Sequence, residues 1–210
     1  MEIIRLLNAV ARENTYLLIN DEACLVIDPG SDHAAIIHQL EKQNRPLAAI
    51  LLTHTHYDHI MSVDILRERY ACPVYVSEKE ADWLFTPELN LSGLDRHSDM
   101  PDVIIKPADA FFNYHSPYQL SGFQFSVVPT PGHSHGGVSF IFEKEETVFS
   151  GDALFKETVG RTDLPTSNFD DLISGIKEQL LTLPNHYTVY PGHGWDTTIG
   201  HEKTFNPFLK

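Results

Sequence analysis

A buried-strand pattern in the first third of the chain ends in four side chains that can bind a metal ion: His54, His56, Asp58 and His59. Successive side chains of an extended segment alternate between its faces, so the spacing by two places His54 and His56 on the same side. Asp58 and His59 follow where the chain turns toward the helical pattern 60–69, and we expect them to point elsewhere. Burying so many polar groups at a strand end for packing alone would be unfavourable. The cluster therefore predicts one loop that faces two metal positions.

Three later strand patterns also end in side chains that bind metals, and a glycine precedes each of these residues: His133, Asp152 and His193. Glycine is expected where the backbone must make room for a cofactor. A single Gly-His or Gly-Asp pair is weak evidence, but three pairs together with the first cluster predict a metal site assembled from distant segments.

Three further polar residues have less certain roles. Asp28 ends another strand pattern in Asp28-Pro29-Gly30. It can brace metal-binding histidines from behind, or it can simply stabilise the turn. His97 and His115 have no neighbours at ligand spacing and are interpreted as surface residues.

The composition indicates an ordinary globular protein of one domain, residues 1–210, with a net charge of −14. Binding to nucleic acid or to an anionic membrane requires basic patches, which this charge disfavours. Two cysteines, Cys24 and Cys72, are too few for a disulfide framework and suggest a cytoplasmic location. The first ten residues do not resemble a signal peptide, and no apolar run approaches the roughly 20 residues of a membrane-spanning helix.

Strand and helix patterns alternate in both halves of the chain, which indicates a mixed α and β fold. The strand patterns are 3–7, 14–19, 23–27, 47–52, 73–76, 123–128, 138–143, 147–149 and 187–190. The helical patterns are 33–43, 60–70, 78–85 and 169–183, and Asp32 and Asn168 are the candidate N-caps of the first and the last. Residues 77–118 are rich in aromatic residues and proline, and we expect them to form an irregular cover that either lines a pocket or caps the core.

The motifs His-x-His-x-Asp-His, Gly-His, Gly-Asp and Pro-Gly-His resemble those of the metallo-β-lactamase superfamily along almost the whole chain. Residues 160–165 and the ending 197–208 are similar to the short glyoxalase II-like hydrolases. The resemblance implies an α/β (α+β) fold, a four-layer α/β/β/α sandwich with the metal site at strand ends between the two sheets. It also implies that His54, His56 and His133 hold one metal and that Asp58, His59 and His193 hold the other, with Asp152 bridging the two.

The chemistry of these ligands agrees with that arrangement. Imidazole and carboxylate suit zinc, and equally iron or manganese. Two divalent ions about 3.5–4 Å apart can share a hydroxide and lower the pKa of water toward ~7, which gives a nucleophile without an activated Ser or Cys. Asp58 would act as a ligand and as a candidate proton acceptor. We therefore expect a hydrolase that cleaves a small-molecule hydroxyacyl thioester, such as S-D-lactoylglutathione, and the oligomeric state is not predicted.

Two residues are candidates for contact with the substrate. Where longer glyoxalase II-like enzymes carry a lysine and a tyrosine after the bridging aspartate, this chain has Arg161 and Asp163. Arg161 either contacts an anionic substrate or forms a structural ion pair with an acid. Tyr57 lies within the first cluster and either contacts the substrate or packs over the loop.

Three other functions compete with this expectation. A persulfide dioxygenase of the same superfamily would use one Fe(II) held by two histidines and an aspartate. A lactonase would use the same two metals on another substrate. A purely structural zinc module would normally need only four ligands, fewer than the sequence offers.

Overall fold

The computed structural model describes residues 1–94, 100–114 and 116–210. Internal contacts divide the chain into two compact units. Unit 1 comprises Met1–Phe112 and Leu120–Phe123, and unit 2 comprises Asn113–Gln119 and Gln124–Lys210. The single domain expected from the sequence stays a prediction. The predicted surface positions of His97 and His115 lie outside the described residues.

Unit 1 is built on a six-stranded mixed sheet whose strands follow chain order: β1 (Glu2–Leu7), β2 (Asn14–Ile19), β3 (Cys24–Ile27), β4 (Leu47–Leu51), β5 (Val74–Val76) and β6 (Ala110–Phe111). Its helices are α1 (His33–Gln43), α2 (Tyr57–Ile60), α3 (Val63–Tyr70) and a 3₁₀ helix (Glu78–Phe85). The first three strands are antiparallel, and β3 to β6 are parallel. Strand β6 was not predicted, and the single helix expected over 60–70 is instead two helices.

The parallel pair β3 and β4 positions the first cluster of polar residues. Ile27 of β3 lies opposite Leu51 of β4, so both strands end at the same edge of the sheet. Asp28 and residues 53–59 follow these ends directly. Polar groups that follow neighbouring parallel strands meet outside the carboxyl edge, where ligands bind in open α/β sheets.

Both cysteines are free thiols buried in the apolar core of unit 1. Burial raises the pKa of the Cys24 thiol, and it raises that of Cys72 to about 11. Both thiols are therefore neutral near pH 7 and act as small apolar side chains.

Unit 2 contains a second six-stranded mixed sheet and a small two-stranded sheet. In chain order the strands are β7 (Tyr118–Leu120), β8 (Phe123–Pro129), β9 (Val138–Phe142), β10 (Thr147–Gly151), β11 (Leu154–Phe155), β12 (Thr158–Val159), β13 (Thr188–Pro191) and β14 (Thr197–Thr198). The large sheet has the order β14-β13-β10-β9-β8-β7, and β11 pairs with β12. Because β10 and β13 are parallel and Gly151 lies opposite Pro191, Asp152 and His193 follow at the same edge.

The helices of unit 2 are α4 (Phe169–Gly175) and α5 (Ile199–Phe205). Asn168 caps α4 as predicted, because its side chain accepts hydrogen bonds from the backbone N–H groups of Asp170 and Asp171. The predicted single helix over 169–183 instead changes to a π-helix at Ile176–Leu180. Within the described part of the chain, no helix has both the length and the apolar character needed to cross a membrane.

Candidate metal centre

The loop of residues 53–59, called the metal loop below, gathers its histidines in unit 1. The ring centroids of His54 and His56 are 4.7 Å apart, and those of His54 and His59 are 4.1 Å apart. Asp58 Oδ2 lies 3.8 Å from His59 Nε2. All four predicted ligands of this loop are buried. The four candidate ligands of this loop therefore lie together, and the His59 ring lies nearer to His54 than the His56 ring does, although His59 was expected to point elsewhere.

Asp28 holds this group in place through hydrogen bonds to Thr53 and a contact with Nδ1 of His59. Its carboxylate accepts hydrogen bonds from the Thr53 backbone N–H at 2.7 Å and from the Thr53 hydroxyl at 2.6 Å, and its Oδ2 lies 3.0 Å from His59 Nδ1. Thr53 Oγ1 in turn lies 3.1 Å from His54 Nδ1. These contacts favour the tautomer that carries its proton on Nδ1 in both histidines, which is the form in which a histidine can bind a metal ion through Nε2. Of the two roles considered for Asp28, the structure supports bracing.

Glu13 is a second buried acid beside His59, and the sequence did not point to it. Its Oε1 lies 3.9 Å from His59 Nδ1, and its Oε2 accepts a hydrogen bond from Asn8 Nδ2 at 2.6 Å. A Cβ atom on Gly30 would lie 2.2 Å from Glu13 Oε2, so the acid fits only because residue 30 is glycine. A second carboxylate near Nδ1 further favours the same orientation of the His59 ring.

The 3₁₀ helix contacts the metal loop from the 77–118 segment. Oε2 of Glu80, which is fully buried, accepts hydrogen bonds from the Thr55 backbone N–H at 2.8 Å and from the Thr55 hydroxyl at 3.1 Å. The ring of Trp83 stacks on His56 with a centroid distance of 6.2 Å and an angle of 21° between the ring planes. Glu80 thus fixes the residue between His54 and His56, and this part of the predicted cover acts as a support for the loop.

We expect Glu80→Leu to weaken metal binding about tenfold, because the buried Thr55 N–H and hydroxyl lose their acceptor and the loop loses its fixed geometry. Glu80→Gln keeps an acceptor oxygen and should remain within about threefold of the wild type. Competition with a chromogenic chelator measures the affinity, and Glu78→Leu at an exposed position of the same helix is the control. Equal affinities for Glu80→Leu and Glu78→Leu, with both proteins folded by circular dichroism, would refute the role of Glu80.

Unit 2 brings its three predicted ligands together around one carboxylate oxygen. Asp152 Oδ2 lies 3.4 Å from His133 Nε2 and 3.4 Å from His193 Nε2. His133 Nδ1 lies 3.0 Å from the backbone carbonyl oxygen of Arg161, to which it donates in the tautomer that leaves Nε2 for a metal. The Asp152 carboxylate therefore faces two imidazoles at once.

Two glycines make this geometry possible. Gly132 has a φ of +125°, and a Cβ atom there would lie 2.4 Å from the backbone nitrogen of Leu172. A Cβ atom on Gly160 would lie 2.0 Å from the backbone oxygen of Asp152 and 3.0 Å from His133 Cβ. The close approach of the backbone near His133 and Asp152 thus requires the smallest residue at both positions.

The two predicted substrate contacts have other partners in the structure. Arg161 forms a bidentate ion pair with Asp163, at 2.6 Å from Nε and 2.7 Å from the terminal nitrogen, which raises the pKa of the guanidinium. Tyr57 is partly buried against the core of unit 1, and its backbone N–H donates to Asn90. These contacts agree with the structural alternatives considered for both residues, and substrate contact stays a prediction for each.

The donor sets in both units fit divalent first-row metal ions. Each set consists of imidazole nitrogens and carboxylate oxygens, which suit zinc, iron or manganese. In unit 1 the ligand-capable atoms of His54 and His59 lie within 4.8 Å of each other. The backbone and side-chain contacts described above already fix the rings that such ions require.

The metallo-beta-lactamase superfamily model matches residues 10–193 of the chain. A probable metallo-hydrolase of Streptococcus pyogenes is 61% identical over 210 residues, which cover 100% of this chain and 90% of that protein. The hydroxyacylglutathione hydrolase GloC of Haemophilus influenzae is 34% identical over 200 residues, covering 94% of this chain and 93% of that protein.

Solved structures show the same fold. The BLEG-1 B3 metallo-beta-lactamase has a TM-score of 0.94 and 40% identity, with 100% of both chains covered. TTHA1623 in a di-iron-bound form has a TM-score of 0.82 and 35% identity, with 98% of this chain and 100% of that chain covered. The metallo-β-lactamase-like fold predicted from the sequence is confirmed. The chain is therefore a metallo-hydrolase that belongs to the metallo-beta-lactamase superfamily.

Proposed function

We propose that the chain hydrolyses hydroxyacyl thioesters of the glyoxalase II type, such as S-lactoylglutathione or a related thiol adduct, at a centre of two divalent metal ions. In this proposal Asp152 would bridge the two ions, and the remaining ligands would divide into two sets: His54, His56 and His133 for the first ion, and Asp58, His59 and His193 for the second. The ions are zinc, with iron or manganese as alternatives.

One observation carries the proposal. His133 and His193 belong to different ions in this assignment, and the same oxygen of Asp152 lies 3.4 Å from the Nε2 atom of each. A carboxylate that bridges two ions must lie between a ligand of the first and a ligand of the second. The position of Asp152 between the two imidazoles of unit 2 therefore supports the proposal.

When bound there, two divalent ions would supply a nucleophile at neutral pH, by lowering the pKa of water toward about 7. The residues of the chain hold the ligands in place for that chemistry. Asp28 and Thr53 orient His59 and His54, and the Arg161 carbonyl orients His133. Asp58, next to His59, serves as a ligand and as a candidate acceptor for the proton of the attacking water.

The relatives support the choice of reaction and of metal number. GloC is named as a hydroxyacylglutathione hydrolase and aligns with almost the whole of this chain. The di-iron form of TTHA1623 supports a centre of two ions and keeps iron as an alternative to zinc. BLEG-1 makes β-lactam hydrolysis the second candidate function, because that B3 metallo-beta-lactamase is 40% identical over the full length.

A substrate panel tests the proposal on protein loaded with zinc, iron or manganese. We expect kcat/KM for S-D-lactoylglutathione to exceed that for an acyl-homoserine lactone or a cephalosporin by at least about tenfold. An enzyme discriminates between substrates by how strongly it stabilises the transition state of each, and kcat/KM measures this difference. Metal-free protein is the control. A faster lactone or β-lactam reaction would overturn the assignment, as would O₂ consumption with glutathione persulfide by protein that holds one iron.

We place this reaction in the cytoplasm, with a small molecule as the partner. Both cysteines are free and buried, which suits a reducing compartment. The net charge of −14 disfavours nucleic acid and anionic membranes as partners.

A further inference from the structure

A pocket of about 450 Å³ lies beside His193 in unit 2. Two short segments line it, residues 155–158 around the turn between β11 and β12 and residues 193–195 after β13. Its volume is within the range of small-molecule sites, roughly 300–1,000 Å³. No sequence motif pointed to this pocket, which is called the His193 pocket below.

Aromatic side chains form part of its wall. The ring of Phe155 meets the ring of His193 edge to face at a centroid distance of 6.2 Å. Trp195 is 69% exposed although it is the largest apolar side chain of the pocket. One exposed aromatic residue is ordinary on a protein surface. An exposed tryptophan that lines a cavity beside a proposed metal ligand instead offers a flat apolar surface to a bound molecule.

The pocket lining includes one cationic side chain, Lys156, and one acid, Glu157. Lys156 is exposed and forms no ion pair with any residue in the described ranges. The neighbouring acid, Glu157, is engaged elsewhere, because its Oε1 lies 2.9 Å from His201 Nε2. The ammonium group of Lys156 can therefore donate a charge-assisted hydrogen bond to an anionic group of a bound molecule.

We propose that the His193 pocket binds the thiol half of the substrate and that this thiol carries a carboxylate, which pairs with Lys156 while the rest of the thiol packs on Trp195. The inference rests on the proposed function, in which His193 is a ligand of the second metal ion. The leaving thiol would then enter the cavity next to that ligand. We favour a carboxylate over a phosphate because, among the described residues, Lys156 is the one lysine or arginine that lines the pocket, whereas phosphates usually bind several donors.

Thioesters that share the lactoyl group but differ in the thiol test this assignment. The probes are lactoylglutathione, with carboxylates, lactoyl-N-acetylcysteamine, which is neutral, and lactoyl-coenzyme A, with phosphates. We expect Lys156→Gln to raise KM for lactoylglutathione about tenfold, with kcat within twofold, and to leave the neutral substrate unchanged. Lys156→Arg should restore most of the loss, and Lys177→Gln, at an exposed lysine outside the pocket, should have no effect.

Binding of S-methylglutathione to the metal-loaded protein, measured by calorimetry, provides a second readout that does not depend on turnover. Lys156→Gln should weaken this binding about tenfold, and Trp195→Leu should weaken it as well. If binding depends on Lys156 but no thioester is hydrolysed, the proposed function is refuted, whereas the assignment of the His193 pocket as a binding site stands. The assignment of the pocket to the thiol would be overturned by either of two results: hydrolysis in which Lys156→Gln affects all three thioesters equally, or unchanged binding of S-methylglutathione. A larger effect on lactoyl-coenzyme A would overturn the choice of a carboxylate.

Discussion

Asp152→Asn is expected to reduce kcat/KM for S-D-lactoylglutathione about 10³-fold, because the variant loses the one negative charge proposed to be shared by both metal ions. Asparagine has nearly the same size and keeps one oxygen, so the fold of unit 2 should be unaffected. The amide also cannot offset the positive charge of two ions, and we expect the metal content to fall by at least one ion per chain.

Steady-state kinetics and elemental analysis of the same preparation measure both effects. Asp171→Asn is the matched control, because Asp171 is an exposed carboxylate on α4 of the same unit. The control should keep full activity and the wild-type metal content. An Asp152→Asn protein with wild-type metal content and activity within tenfold of the wild type would rule out a bridging role.

Gly160→Ala is expected to reduce kcat/KM about 10²-fold, because a displacement of about 1 Å in a catalytic group has effects of this size. The new Cβ atom would lie 2.0 Å from the backbone oxygen of Asp152, which is not the end of a flexible side chain and cannot rotate away. The backbone of residue 152 or residue 160 must therefore move, and His133 Cβ, at 3.0 Å, moves with it. We also expect a loss of about 1–3 kcal/mol in the free energy of unfolding, as is typical of overpacked sites.

Urea unfolding and steady-state kinetics together test this prediction. Gly175→Ala is the control, since a Cβ atom on Gly175 would make contacts of 3.4 Å or more and this residue lies in α4. Alanine favours the helix by up to about 1 kcal/mol, so the control should be as stable as the wild type or more stable. Unchanged stability and activity in Gly160→Ala would show that the close approach to Asp152 has no functional importance.

The sequence predicted the parts of the site that depend on local pattern. The apolar run 47–52 indicated a buried strand, and β4 spans Leu47–Leu51. The spacing of the metal loop predicted a cluster of candidate ligands, because alternation along an extended segment is a local property. It did not predict that the His59 ring would lie against that of His54. Asn168 was recognised as a helix cap for the same reason.

The residues that support the ligands were mostly missed, because they act across long separations in the sequence. Glu80 lies 25 residues from its partner Thr55, and no local rule connects them. One signal was present: Glu80, Trp83 and Leu84 share the buried face of the 3₁₀ helix, and an acid on a buried face needs a specific partner.

Asp32 shows the opposite error, since local pattern suggested a role that a distant contact replaces. It occupies the N-cap position of α1, but its side chain does not cap the helix. Its carboxylate instead accepts a hydrogen bond from the backbone N–H of Ala9 at 2.6 Å. The β1–β2 connection thus competes successfully for an oxygen that a helix end would normally use.

The assignment of two metal ions that share Asp152 is tested most directly by anomalous scattering from crystals of the metal-loaded protein, with data on both sides of the metal absorption edge. We predict two peaks about 3.5–4 Å apart. One peak should lie at His54, His56 and His133, the other at Asp58, His59 and His193, with an oxygen of Asp152 within coordination distance of both. A single peak at full occupancy, or two peaks of which only one is reached by Asp152, would contradict the account.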